Sequence, residues 1–180
     1  MKPLKYIIQE KLVITKNTKW KCYHPKSRDE LKELVDKLIK EHGNEVDLND
    51  IDTSKITDMT ELFRESKFNG DISDWDVSRV KDMHSMFYKS KFTGENGDIS
   101  KWKVGKVNDM SWMFHASDFN GDISKWNVSN VIHMTYMFYE SKFNGSNGDI
   151  SDWDVSSVRN MYGMFENSPL EKNPPKWYKE

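Results

Sequence analysis

The chain repeats itself, and an internal repeat narrows the possible folds more than any other sequence feature. Residues 71–97 read DISDWDVSRVKDMHSMFYKSKFTGENG, residues 98–121 DISKWKVGKVNDMSWMFHASDFNG, and residues 122–148 DISKWNVSNVIHMTYMFYESKFNGSNG. Asp149 opens a further copy, DISDWDVSSVRNMYGMFENSPL, and Asp47 opens a degenerate earlier one, DLNDIDTSKITDMTELFRESKFNG. The starts at 47, 71, 98, 122 and 149 are 24, 27, 24 and 27 residues apart. The extra residues of the longer copies, Glu95-Asn96-Gly97 and Ser146-Asn147-Gly148, follow the same Phe-x-Gly and are loop insertions on one edge.

Within a copy the apolar positions obey one rule. In the second copy they are Ile72, Trp75, Val77, Val80, Met83, Met86, Phe87 and Phe92. Trp75 and Val77 alternate as a short strand does. Val80, Met83 and Phe87, spaced three and four apart, share a helical face, with Met86 beside it. Ser78 is the expected N-cap of that helix, matched by Ser54, Ser129 and Ser156 and replaced by Gly105 in the third copy. Phe68-Asn69-Gly70 and Phe119-Asn120-Gly121 carry turn chemistry, because Asn and Gly tolerate positive φ. Each copy is therefore expected to be strand, helix, turn.

A single copy cannot bury its own apolar face, whereas stacked copies cover one another. Parallel strands stack ~4.8 Å apart, while helices need ~8–10 Å between axes. The helical side must then fan out. The expected fold class is an α/β repeat solenoid: a leucine-rich-repeat-like horseshoe with short parallel strands on the concave side and helices on the convex side. Trp75, Trp102, Trp126 and Trp153 would form one interior file, and Met83/Met86, Met110/Met113, Met134/Met137 and Met161/Met164 two more.

Such a stack needs atypical ends. Ser27 and Glu30 form a capping box for an amphipathic helix carrying Leu31, Leu34, Val35 and Leu38, with Gly43 as its stop. Upstream, residues 6–15 and 19–23 are expected to pair as a hairpin. Residues 1–46 are thus an N-terminal cap, residues 47–168 the five copies, and residues 169–180 a C-terminal tail. In that tail Pro169, Pro174 and Pro175 end the pattern, and Leu170, Trp177 and Tyr178 fold back as a lid.

Charge and composition exclude several functions. The net charge is −2, with 27 basic and 29 acidic residues, which argues against a nucleic-acid binder working through bulk electrostatics. Residues 1–46 carry +4 and residues 47–180 carry −6. No apolar run approaches the ~18 residues of a membrane span, so direct membrane insertion is not expected. The opening MKPLKYIIQEKLVITK lacks the apolar core and cleavage site of a secretory signal, which favours a cytoplasmic or virion location over secretion. Cys22 is alone, so a multi-Cys metal site is not expected.

The column Asp47, Asp71, Asp98, Asp122, Asp149 has two readings. Stacked carboxylates could bind Ca²⁺, or each could accept backbone N–H groups from its own Asn-Gly turn. The second is favoured, because one carboxylate per copy falls short of a calcium cage. His84, His115 and His133 do not share one register and build no zinc column. No phosphate loop, nucleophile elbow or HExxH helix occurs, so no catalytic residue, metal or cofactor is expected. The methionines read as core filler.

Recognition in a repeat protein is written where otherwise constant copies differ. Flanking each Trp outward are Asp50/Asp52, Asp74/Asp76, Lys101/Lys103, Lys125/Asn127 and Asp152/Asp154, an acidic–basic–acidic strip able to steer a charged partner or simply to face water. Trp112 and Tyr136 stand where other copies have Glu61, Ser85 and Gly163. Tyr88, His115 and Tyr139 align against Arg64 and Glu166. These aromatics form a patch suited to protein contact or to packing between copies.

The unit D-I-S-x-W-x-V-S-x-V-x-x-M-x-x-M-F resembles the repeat of BspA-family leucine-rich-repeat surface proteins, over residues 47–168. It is similar also to the domain of unknown function common in mycoplasma lipoproteins. That resemblance implies a protein-binding or adhesive surface. The expected function is a non-enzymatic bacterial or phage repeat scaffold mediating protein–protein interaction through the strip, the patch or both. The alternative is a structural subunit of a phage particle or surface assembly, in which self-assembly would occur.

Overall fold

The computed structural model describes residues 21–179. Residues 6–15 and residues 19–20 of the expected hairpin lie outside the described residues, and Tyr23, from its second strand, bridges to Ile51 of the first copy. The amphipathic helix forms as the sequence predicts: α1 spans Arg28–His42, Ser27 accepts the Glu30 N–H, and Leu31, Val35 and Leu38 are buried, while the Glu30 carboxylate accepts the N–H of Lys26 in place of that of Ser27. Gly43 closes it at φ +92°, donating to the Ile39 carbonyl. Arg28 Nε then reaches the Thr60 carbonyl at 2.9 Å, tying α1 to the first copy.

The α/β horseshoe does not form. Among the described residues α1 is the single helix, and parallel pairing is confined to isolated bridges such as Asp58↔Asp82, Asp82↔Asp109, Asp109↔His133 and His133↔Asn160. Among the described residues there is no sheet and no convex layer of helices, and the pitch mismatch that would make one side concave goes with them.

The reason lies in where the backbone hydrogen bonds go. From Met59 to Ser66 the amides alternate in destination. Met59, Glu61, Phe63 and Glu65 donate sideways to the Asp82, His84, Met86 and Tyr88 carbonyls of the next copy at 2.7–3.0 Å. Leu62, Arg64 and Ser66 donate back three residues within their own copy. A helix would spend every one of these N–H groups on itself and hold its neighbour about 8–10 Å away. The left-handed residues Glu61 (φ 57°) and Glu65 (φ 55°) break any helical run. The same pair recurs as Ser85/Lys89, Trp112/Ala116, Tyr136/Glu140 and Gly163/Asn167.

The apolar residues spaced three apart thus bracket tight turns, with both ends facing inward. Trp75 N–H bonds to the Ile72 carbonyl, Val80 to Val77 and Met86 to Met83, at 3.0–3.2 Å. Side chains staple the corners. Asp71 Oδ1 accepts from Ser73 N–H, Asp76 from Ser78, Asp82 from His84, and Ser90 Oγ from Phe92. Ser78 is therefore a donor in an Asx turn and not a helix N-cap. Gly70 also differs from expectation: its φ is not left-handed, and it is required because the Val46 carbonyl comes too close for a Cβ.

Every apolar residue named above for the second copy is buried. The copies stack ring on ring. Phe63, Phe87, Phe114, Phe138 and Phe165 lie 5.4–5.8 Å apart with planes within 7°. A second file joins Phe68, Phe92, Phe119 and Phe143 at 6.0–6.3 Å. The indoles line up as well. Trp75, Trp102, Trp126 and Trp153 each donate Nε1–H to the carbonyl of Leu48, Ile72, Ile99 and Ile123, respectively, at 3.0–3.3 Å. Trp177 continues the file, bonded to the Ile150 carbonyl at 2.9 Å and stacked on Trp153 at 6.2 Å.

The alternation in copy length has a structural counterpart. In each long copy the inserted asparagine reaches back to the short copy before it. Asn96 Nδ2 bonds to the Asn69 carbonyl at 2.8 Å, and Asn147 Nδ2 to the Asn120 carbonyl at 2.5 Å. The Asn69 and Asn120 side-chain oxygens in turn accept the Thr93 and Asn144 N–H groups. Copies are clasped in twos.

Candidate interaction surfaces

The Trp corner positions the first surface. Because each indole points inward to its carbonyl, the residues on either side point out. Asp74, Asp76, Lys101, Lys103, Lys125, Asn127, Asp152 and Asp154 are all exposed, on successive copies of one corner. The acids are not idle. Asp76 Oδ1 accepts the Ser78 N–H at 2.9 Å and Asp154 Oδ1 the Ser156 N–H at 3.0 Å, while Asn127 Oδ1 serves Ser129. These bonds from Ser78 hold the Asp76 carboxyl below its usual range, with the Lys103 charge adding to them. The bond from Ser156 does the same for Asp154. In the first copy the bonds from Ser54, joined by His24 at 3.1 Å, bring Asp52 to about 2.

The third copy breaks the pattern. Lys103 stands where the others have an acid or amide, so no side chain accepts the Gly105 N–H. Lys101, Lys103 and Lys125 form no ion pair among the described residues. They frame one shallow hollow with Gly105 and Asn127.

The second surface grows from the Met-Phe turns. Tyr88, His115 and Tyr139 stack face to face at 4.6 and 4.9 Å. Trp112 tilts against Tyr136 at 4.6 Å. The Arg64 guanidinium covers the outer face of Tyr88, 4.1 Å from the ring centre. The structure thus brings all five predicted aromatics together, four of them half-buried. His115 is buried, its Nδ1 has no hydrogen-bond partner, and desolvation lowers its pKa. Sequence reasoning missed Tyr162, which is 58% exposed and sits edge-on to Tyr136 at 5.5 Å. The signal was Gly163: a glycine in the aromatic column leaves room that Tyr136 leans into, so that a Cβ at Gly163 would overlap its ring.

The aspartate column is local in its bonding. Asp47, Asp71, Asp98, Asp122 and Asp149 each accept the N–H two residues on, at 2.8–2.9 Å, within the copy they open. Among the described residues no three His, Cys, Asp or Glu side chains converge as metal ligands. No helix among them is long and apolar enough to cross a membrane.

A stack of near-identical turns, bonded copy to copy and varied chiefly on its outer corners, is a repeat protein. The chain belongs to the family of Mycoplasma proteins of unknown function, DUF285, which matches residues 30–146 and 90–178. No curated protein and no solved structure matches it.

Proposed function

We propose that this chain is a non-enzymatic binding scaffold whose partner is a protein, held at the Trp-corner strip with the aromatic surface as a second contact. One observation carries the reading. The framework is nearly invariant from copy to copy, yet the exposed corner switches from Asp74/Asp76 to Lys101/Lys103 and back to Asp152/Asp154, and its lysines are not consumed by internal ion pairs. Charge patterned this way orients a partner and sets its register. The resemblance of the unit to BspA-type repeats supports the same reading, since those repeats serve adhesive surfaces.

The test is affinity capture from the native source with the wild-type chain beside Lys101→Glu/Lys103→Glu, both checked for folding by circular dichroism. A partner retained only by the wild type supports the strip; one retained equally by both overturns it. Light scattering adds a second measurement. A monomer fits a binding module, whereas large particles would favour a structural subunit of a phage particle or surface assembly.

A further inference from the structure

In four of the five copies the corner after the Trp (Ile51 in the first copy) contains a backbone N–H two residues beyond an Asp or Asn, and that side chain accepts it. Asp52, Asp76, Asn127 and Asp154 do so at 2.9–3.2 Å. In the third copy the N–H belongs to Gly105, the residue two before it is Lys103, and the acceptor is missing. The corner lies in a shallow hollow. It is surrounded by positive charge, since Lys101, Lys103 and Lys125 line the same hollow, and by a further donor, the Asn127 amide nitrogen, which lies 3.3 Å from where a Gly105 Cβ would be.

We propose that this corner is a carboxylate notch: an Asp or Glu side chain of a protein partner accepts the Gly105 N–H, supplying the oxygen that the other copies supply for themselves. The proposal rests on the strip reading and names the chemistry of the partner. A carboxylate fits because the oxygens at the equivalent corners are those of Asp and Asn. A hydrogen bond from N–H to a charged acceptor is stronger than a neutral one, and the lysines add long-range attraction. Asp74/Asp76 and Asp152/Asp154 on the flanking copies repel further negative charge. The acidic part of the partner segment is therefore short and central.

The test is an amide-resolved NMR titration of the full chain with an end-blocked tetra-aspartate peptide, beside a tetra-asparagine control and inorganic phosphate. Gly105 N–H should be among the amides that move most. Two variants of equal charge separate the notch from simple attraction. Lys103→Met removes a charge only, whereas Lys103→Asn also installs the missing oxygen, as Asn127 does for Ser129. Lys103→Asn should bind the peptide about threefold to tenfold more weakly than Lys103→Met. A static Gly105 resonance, or equal affinities for the two variants, overturns the notch. Phosphate moving Gly105 as far as the peptide at equal concentration overturns its assignment to a carboxylate. Partner capture lost in Lys101→Glu/Lys103→Glu while Gly105 stays silent sinks the notch and leaves the scaffold. Gly105 responding while capture ignores that variant does the reverse.

Discussion

The two outer surfaces handle variation in opposite ways. On the aromatic side, most departures from the repeat are packed against a neighbouring copy: Tyr136 leans into the space over Gly163, Tyr162 closes against it, and Arg64 lies over Tyr88, with the His115 Nδ1 left unbonded as the exception. At the Trp corner, where Lys103 replaces an acid, the Gly105 N–H has no acceptor and three lysines have no ion pair among the described residues. A packed irregularity reports on stability; an unanswered one reports on recognition. The aromatic side should therefore be the more costly to disturb, and the corner the more responsive to a partner.

The largest expected effect tests the scaffold that both surfaces share. Trp126 is 3% exposed and its Nε1 bonds to the Ile99 carbonyl. Trp126→Ala should cost about 3–5 kcal/mol in denaturant unfolding, and a loss below about 1 kcal/mol would mean that the stack does not depend on its indoles. Next comes the answered surface. Gly163→Ala forces a Cβ against Tyr136, which should cost about 1–3 kcal/mol, and Tyr136→Ala in the same chain should recover part of it. Additive losses would show that the ring is not what fills that space.

At the corner the sign reverses. Lys103→Asn gives Gly105 an internal acceptor and should raise stability by about 0.5–1.5 kcal/mol; a melting temperature that falls would break the comparison. The smallest effect is the pH slope of one ring. Burial holds the His115 imidazole below its ordinary 6.5, Lys89 and Arg64 reinforce this, and Glu140 opposes it. As pH falls below about 6.5, the unfolded chain takes up a proton that the folded chain resists, so stability declines; above that value the ring contributes no slope. His115→Phe should flatten the curve in that interval, and an unchanged slope would assign it to other groups.

What the sequence disclosed and what it hid divide along a physical line. The apolar positions, the file of indoles, the Ser27 cap and the exposed corner residues were all readable, because burial follows from side-chain type. The secondary structure was not. Val80, Met83 and Phe87 carry the spacing of a helix, but tandem turns closing on the third residue place apolar ends inward at nearly the same interval. The discriminating signal was Asp-x-Ser, present at Asp71 and again at Asp76, which marks an Asx turn at two successive corners. Read as an N-cap, Ser78 pointed to the wrong element. Trp177 lies 24 residues after Trp153, one short-copy length, so its place in the file was legible although the prolines around it suggested a tail. The vacancy at Gly105 needed coordinates, since a missing acceptor shows only once the other corners reveal that there is one.

The asparagine clasps set the grain at which this molecule can change length. Starts at 47, 98 and 149 recur every 51 residues, and a short copy followed by a long one fills each of the two intervals. Inserting or deleting one copy alone would leave an inserted loop facing a partner of the wrong kind, with Asn96 or Asn147 reaching for a carbonyl no longer in position. Gain or loss of couplets keeps every clasp engaged, so the heritable module of this architecture is the couplet.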